Sequence, residues 1–317
     1  MSSPRENKYR KVVPPMKQRS SAFDMTAKQA EFLLAAVIIA RSTSYLFSKI
    51  CLQTMGAFTL LSIRSLLAFA VLAVLFRKRL CGISKSALRH GMLLGGTFFA
   101  VMAAELYGLR TTPTSTTSFL ENTAIVLVPL LEAALHRKAP RPLALLSDGI
   151  TLLGIGFLTL GAGGGVALKA GELFCLLAAA LYAVAIILTD RLSRREDPLT
   201  LGILQIGFMG LFSLCAAFLL ETPSLPASSA AWGSILYLAL ICSGFGFTLQ
   251  PLAQRHTSSE KAGIFCALNP LTATVLGITV LREPFTLSAG VGAVLILSGI
   301  LIARATPAAA KKKPAAA

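Results

Sequence analysis

Residues 262–302 read AGIFCALNPLTATVLGITVLREPFTLSAGVGAVLILSGILI, two long apolar runs separated by the charged turn Leu281-Arg282-Glu283-Pro284. Each run is long enough to cross a hydrocarbon core about 30 Å thick, which takes about 20 apolar residues as helix. The first carries Asn269-Pro270 deep inside it. Pro270 has no backbone N–H, so the carbonyl one turn back, at Cys266, loses its helical donor. In lipid such a break is tolerated where helix packs on helix or lines a cavity, and the Asn269 side chain is a candidate donor to that carbonyl. A second copy of this unit lies at 117–157, and the duplication sets the architecture.

The repeat extends over both halves. One constant offset lays Glu31 on Glu172, Thr59 on Thr200 and Arg64 on Gln205. A second lays Arg110 on Arg255, Thr112 on Thr257, Arg137 on Arg282 and Gly154 on Gly299. Neither stretch needs a gap.

Composition bounds the class. Of 317 residues, 55% are hydrophobic and 14% charged, where a soluble domain carries about a quarter charged residues. The mean hydropathy is +0.71. A net charge of +16 raises nucleic acid as a partner. The Lys and Arg residues, however, fall in short clusters between apolar runs, as topogenic charges do, and no nucleic-acid partner is expected. The six cysteines show no CxxC pair and no metal-ligand spacing, so neither a disulfide framework nor a metal site is implied. No cofactor motif is present.

On the 20-residue ruler the chain reads as an all-α membrane protein of ten transmembrane helices, at about 30–50, 58–76, 90–109, 114–135, 142–161, 171–190, 199–220, 232–253, 262–281 and 286–303. Residues 1–29 are a basic cytosolic tail without the apolar core of a signal peptide. Residues 30–161 and 171–303 form the two repeats, 162–170 a Gly-rich linker, and 304–317 a disordered tail. Five spans per half is an odd number, so the second copy enters the bilayer upside down. The charges agree: loop 77–89 carries Arg77, Lys78, Arg79, Lys85 and Arg89, whereas its counterpart, 221–231, has no Lys or Arg. Counting basic residues places both termini in the cytoplasm, in the cell membrane. Inverted five-helix repeats are a device of secondary transporters, with substrate held near the midplane between the halves.

These residues resemble a known family. Leu268-Asn269-Pro270, Leu281-Arg282-Glu283-Pro284, Gly290, Gly292 and Gly299 in the second half carry the resemblance. So do Lys49, Ile63-Arg64, Gly108-Leu109-Arg110-Thr111-Thr112 and Val128-Pro129-Leu130-Leu131 in the first. Over residues 30 to 303 the chain is similar to the EamA-type permeases of the drug/metabolite transporter superfamily. It departs at Ala40-Arg41, where members often carry Trp-Gly, and at Lys138, where the second half has a Glu. The resemblance implies transport of a small metabolite, amino acids and related solutes among the classes the family moves.

An ionisable side chain at the centre of a span costs about 2.5–3.5 kcal/mol on insertion scales, so it normally faces a partner or a cavity. Arg41, Arg64, Glu105, Glu121 and Asp148 are the candidates. At 1.5 Å per residue, Arg64 and Glu105 lie roughly 6–9 Å from the outer ends of their spans and Glu121 slightly deeper. Asp148 sits low and reads as a partner of Arg137 or Arg141. The repeat partners of Arg41, Arg64, Glu105 and Glu121 are Tyr182, Gln205, Gln250 and Cys266, none of them ionised at neutral pH. Two accounts fit. In one, Arg64–Glu105 and Arg41–Glu121 are neutralised pairs that fix helix packing. In the other, an arginine binds an anionic group while Glu105 or Glu121 binds an amine or a coupling proton. Tyr45, Asn122, Gln205, Gln250 and Asn269 complete the candidate substrate-binding set, with Ser42, Ser44, Tyr107, Thr117 and Ser118 as further polar neighbours. Trp232 reads as an interfacial anchor. The Gly91–Gly95 spacing suits close helix contact, inside the bundle or at a homodimer face.

A secondary transporter working by alternating access is the leading function. A proton-coupled exporter of cationic drugs and a non-transporting scaffold or receptor are the alternatives. An enzyme is not expected: the chain has no HExxH, GxSxG or GxGD motif, and His90, His136 and His256 all lie at loop edges.

Overall fold

The computed structural model describes residues 25–112, 114–137, 142–160, 170–226, 228–280 and 287–305. The tails, the Gly-rich join at 161–165, the turn Leu281-Arg282-Glu283-Pro284, Lys138 and Arg141 lie outside the described residues. Every regular element among them is helical: α1 (Ala27–Ser42), α2 (Ser44–Cys51), α3 (Ala57–Leu75), α4 (Arg77–Leu80), α5 (Lys85–Thr111), α6 (Thr114–Asn122), α7 (Ala124–His136), α8 (Pro142–Leu160), α9 (Ala170–Ser193), α10 (Pro198–Leu220), α11 (Ser229–Tyr237), a π-helix (Leu238–Phe247), α12 (Thr248–Arg255), α13 (Ser259–Phe265), α14 (Leu268–Val280) and α15 (Leu287–Ala305). Six continuous or nearly continuous stretches are long and apolar enough to span a bilayer: Ala27–Cys51, Ala57–Leu75, Lys85–Thr111, Ala170–Ser193, Pro198–Leu220 and Ser229–Arg255. Leu145–Phe157 and Gly290–Ile302 are shorter apolar helices. The remaining apolar stretches, 114–136 and 259–280, are each broken in two.

The helix ends are marked in the sequence. Thr26 and Gln29 form a capping box at the start of α1, Ser84 caps α5, and Asp197 followed by Pro198 opens α10, each satisfying amides that lack a partner in the first turn. Large apolar side chains face outward along the bundle, Phe32, Val74, Phe218 and Leu219 among them. That is the arrangement hydrocarbon rewards and water does not.

Packing follows the repeat. α3 lies along α10 and α8 along α15, each helix against its own counterpart; α5 packs on α9, and reciprocally α12 and the π-helix pack on α1. Small residues carry the closest approaches. A Cβ on Gly154 would stand 2.8 Å from the Ile296 amide, and one on Gly299 would stand 3.0 Å from the Ser147 carbonyl. Ser147 Oγ donates to the Gly299 carbonyl at 3.0 Å. Gly91 and Gly95 meet Leu204, Gln205 and Phe208 of α10, so that spacing serves internal packing. One continuous apolar core runs through both halves, and a smaller cluster of Cys51, Met55, Leu60, Ile235, Leu238 and Cys242 lies at one end.

Candidate functional site

The polar residues of the bundle centre sit where helices are interrupted. Between α1 and α2 the chain turns at Thr43, whose Oγ1 donates to the Ala40 carbonyl at 2.7 Å, while Ser42 Oγ donates to Ile39 at 2.7 Å. Such back-bonds bend helices, and Arg41 lies just before this one. Between α6 and α7 Thr123 Oγ1 donates to Leu120 at 2.6 Å, with Glu121 just before the break. Between α13 and α14 the carbonyl that Pro270 leaves without its donor is taken by the Asn269 backbone N–H at 2.9 Å. The Asn269 side chain is therefore not needed there, contrary to the expectation, and it lines the central cavity instead. Pro251 acts the same way in the eighth apolar stretch. Its ring would collide with the carbonyl four residues back, at Phe247, and the helix widens to π geometry up to that residue.

Arg41 is the hub. Its Nη1 donates to Tyr182 Oη and to Gln250 Oε1, both at 2.8 Å. Its guanidinium carbon lies 4.1 Å from the centre of the Phe247 ring, 5.2 Å from Tyr182 and 5.9 Å from Phe98. Gly246 makes this possible, since a Cβ there would come within 2.5 Å of Arg41 Cγ. A cation over an aromatic face gains about 0.5–1 kcal/mol, and about 2 where desolvated.

Beside it, Tyr45 Oη donates to Glu121 Oε2, and Glu105 and Glu121 line the same cavity. All three are buried. Arg41, Ser44, Tyr45, Met102, Glu105, Glu121, Phe247 and Asn269 enclose a cavity of ≈ 10 Å³, about enough for one water molecule. At that volume the cavity has no room for an organic solute in this conformation. At the end of the bundle where Gln53, Thr54, Tyr107, Arg110 and Glu221 meet, a wider opening of ≈ 740 Å³ is present.

Arg41, Tyr45, Glu105, Glu121, Gln250 and Asn269 are thus brought together. Arg64 is completely buried one layer away: Nη1 donates to Ser48 Oγ at 3.3 Å, and Nη2 approaches Met102 Sδ at 3.8 Å. Gln205 is buried without a partner for either amide atom, and Asn122 Nδ2 donates to Ser118 at 2.6 Å; neither lines the cavity. The neutralised pairs are not formed, because neither Arg64–Glu105 nor Arg41–Glu121 is among the ion pairs of the described residues. Asp148 is buried with Oδ2 unbonded and makes no ion pair with Arg137. Phe98, Met102 and Phe247 were not expected here. Only Pro251, one turn beyond Phe247, marks any of them in the sequence.

The geometry has a symmetry to it. Tyr182 is Arg41's own repeat counterpart, Gln250 is that of Glu105, and Phe247 is that of Met102.

Comparisons with known proteins agree with this duplication. The model of the EamA-like transporter family matches twice, at residues 28–160 and 169–305. A protein of Archaeoglobus fulgidus described as an uncharacterized transporter is 25% identical over 289 residues, covering 87% of this chain and 98% of the relative. YetK of Bacillus subtilis, described in the same words, is 24% identical and covers 92% of each chain. A solved crystal structure superposes with a TM-score of 0.72 at 19% identity, covering 87% of this chain and 96% of its own. With two family matches spanning nearly all its apolar length, the chain is a multi-pass membrane protein and belongs to the EamA-like transporter family.

Proposed function

We propose that this chain is a secondary transporter that carries a small metabolite across the cytoplasmic membrane by alternating access. The observation that carries the proposal is the meeting of repeat counterparts, Arg41 with Tyr182 at 2.8 Å, inside a closed polar cluster built at helix interruptions. Interrupted helices at a repeat interface are where transporters of this build hold solute. In this reading ten spans form two inverted repeats, 30–161 and 171–303, joined by the linker 162–170. The tails 1–29 and 304–317 face the cytoplasm, and the ≈ 740 Å³ opening faces outward. Arg41, Tyr45, Glu105, Glu121, Gln250 and Asn269 form the substrate site, with Arg64 beside it and Gln205 and Asn122 as supporting polar groups. The Glu105–Glu121 pair is the place for a coupling proton. The chain catalyses no bond-making reaction.

Two guanidiniums next to these carboxyls weigh against an exporter of cationic compounds, which Arg41 would repel. The test is flux in proteoliposomes preloaded with pooled metabolites. Wild-type protein should exchange at least one solute class, and Arg41→Gln and Glu105→Gln should each abolish it in protein that still folds cooperatively and inserts into the liposomes. Wild-type flux in both variants would reduce the cluster to scaffold.

A further inference from the structure

Arg64 has its side-on edge free of any oxygen partner. Nε is buried without a hydrogen bond, and Nη2, on the same edge of the guanidinium, has only the Met102 thioether at 3.8 Å. No carboxylate lies within ion-pair distance among the described residues. Burying a cation is costly, and here the direct contacts of the guanidinium are only the Ser48 hydroxyl and the Met102 thioether. An Nε/Nη2 edge is the face that takes a carboxylate in two parallel hydrogen bonds.

Met102 separates that edge from the cavity, since it touches Arg64 and also lines the pocket with Arg41, Tyr45 and Glu105. Methionine is unbranched and rotates about three bonds, so it can vacate its place without moving backbone. Arg41 already uses Nη1 on Tyr182 and Gln250, whereas the Arg64 edge is a buried donor pair without an oxygen partner, and one such edge takes one carboxylate.

We propose that the solute is a small organic monoanion whose carboxylate displaces Met102 and seats on the Nε/Nη2 edge of Arg64. This deepens the transporter reading and rests on it. Arg41 then holds the site together through Tyr182, Gln250 and Phe247, and Tyr45 with the two glutamates faces the remainder of the solute.

The experiment uses the purified full chain, with binding measured by thermal shift and calorimetry. The probes are a series of monocarboxylates from acetate to hexanoate with lactate and benzoate, each beside its uncharged amide. At least one carboxylate should stabilise the wild type and bind about tenfold or more tightly than its amide, as a hydrogen bond to a charged group allows. Arg64→Gln should lose that preference, Arg64→Lys should keep part of it, and Met102→Ala should bind more tightly than wild type. Equal affinity for acid and amide, unchanged binding in Arg64→Gln, or no carboxylate binding at all overturns the assignment. Flux of neutral or cationic solute that needs Arg41 and not Arg64 would leave the transporter standing and remove the anion site. Carboxylate binding without flux would do the reverse.

Discussion

Removing the Glu221 carboxylate should loosen one end of the bundle and leave the buried cluster intact. The N-cap residue of α3 is Gly56, which has no side chain to offer the first-turn amides. Glu221, just past the end of α10 in the other half, supplies the carboxylate. Oε1 accepts from the Phe58 amide at 3.2 Å, and Oε2 accepts from the Thr59 amide and hydroxyl, each at 3.0 Å. At the opposite end of the same helix pair the repeat counterpart of Gly56 is Asp197, which caps its own helix: Oδ2 accepts from the Thr200 amide at 3.0 Å and hydroxyl at 2.6 Å. Thr59 and Thr200 are counterparts too. Asp197 caps its own helix and also meets Arg79 of the first half at 3.4 Å, whereas Glu221 caps a helix that belongs to the other half.

An N-cap side chain contributes about 1 kcal/mol, with a range of about 0.5–2, and its charge at a helix N-terminus adds about 0.3–1. Glu221 is partly exposed, so solvent screening holds the total to about 1–2 kcal/mol, a shift of roughly 5–30-fold in any equilibrium that parts α3 from α10 at this end. Native Cys51 reports that opening: it is buried at the same end beside Met55 and Leu60. In a background where the exposed Cys81 and Cys215 are serine, maleimide modification of Cys51, read by peptide mass mapping, should quicken by that factor in Glu221→Ala. In Glu221→Gln the gain should be smaller. Asp197→Ala should lower the melting temperature by a similar free energy and leave the Cys51 rate unchanged. A Cys51 rate within twofold of the parent in Glu221→Ala, or an equal rise in Asp197→Ala, would refute the distinction between the two caps.

Three further outcomes are expected. Gly246→Val should push the Arg41 stem off the π-helix backbone, cost about 1–3 kcal/mol of stability and abolish flux; a variant with wild-type melting and flux would show that Gly246 does not make room for Arg41. Arg41→Lys keeps the charge but loses the planar fork that reaches Tyr182 and Gln250 together, so flux should fall by about tenfold, short of the complete loss in Arg41→Gln, and equal rates in Arg41→Lys and wild type would contradict that. Gly154→Leu and Gly299→Leu should each lower the melting temperature by prising α8 from α15, at about 1–3 kcal/mol apiece, and because both act on one helix pair their double variant should cost less than the sum; strict additivity in denaturant unfolding would mean that the two glycines pack independently.

The halves and their offset are legible in the chain because a repeat needs only residue identity. Asn269-Pro270 likewise announces an interruption, since a missing N–H is a property of the residue itself. The breaks at Thr43 and Thr123 are not legible: Ser and Thr recur throughout these spans, and only geometry tells a back-bond that bends a helix from one that does not. Depth along a span placed Arg64 and Glu105 at similar levels, but depth leaves azimuth open, and the two side chains do not pair. Phe98 and Phe247 were hidden for a related reason, since in a chain with 18 phenylalanines an aromatic within an apolar run reads as core whether it faces a methyl group or a guanidinium. What the offset does yield is the location of the candidate site. A residue can touch its own counterpart only on the axis that relates the repeats, and Arg41 touches Tyr182. The same axis lets α8 and α15 meet through glycines that are counterparts of each other. Along it, packing residues keep their identity in both copies while Arg41, Glu105 and Glu121 do not. In the transporter proposed above, symmetry in the contacts would let the halves rock between equivalent arrangements, and asymmetry in the charges would give that motion a solute to select.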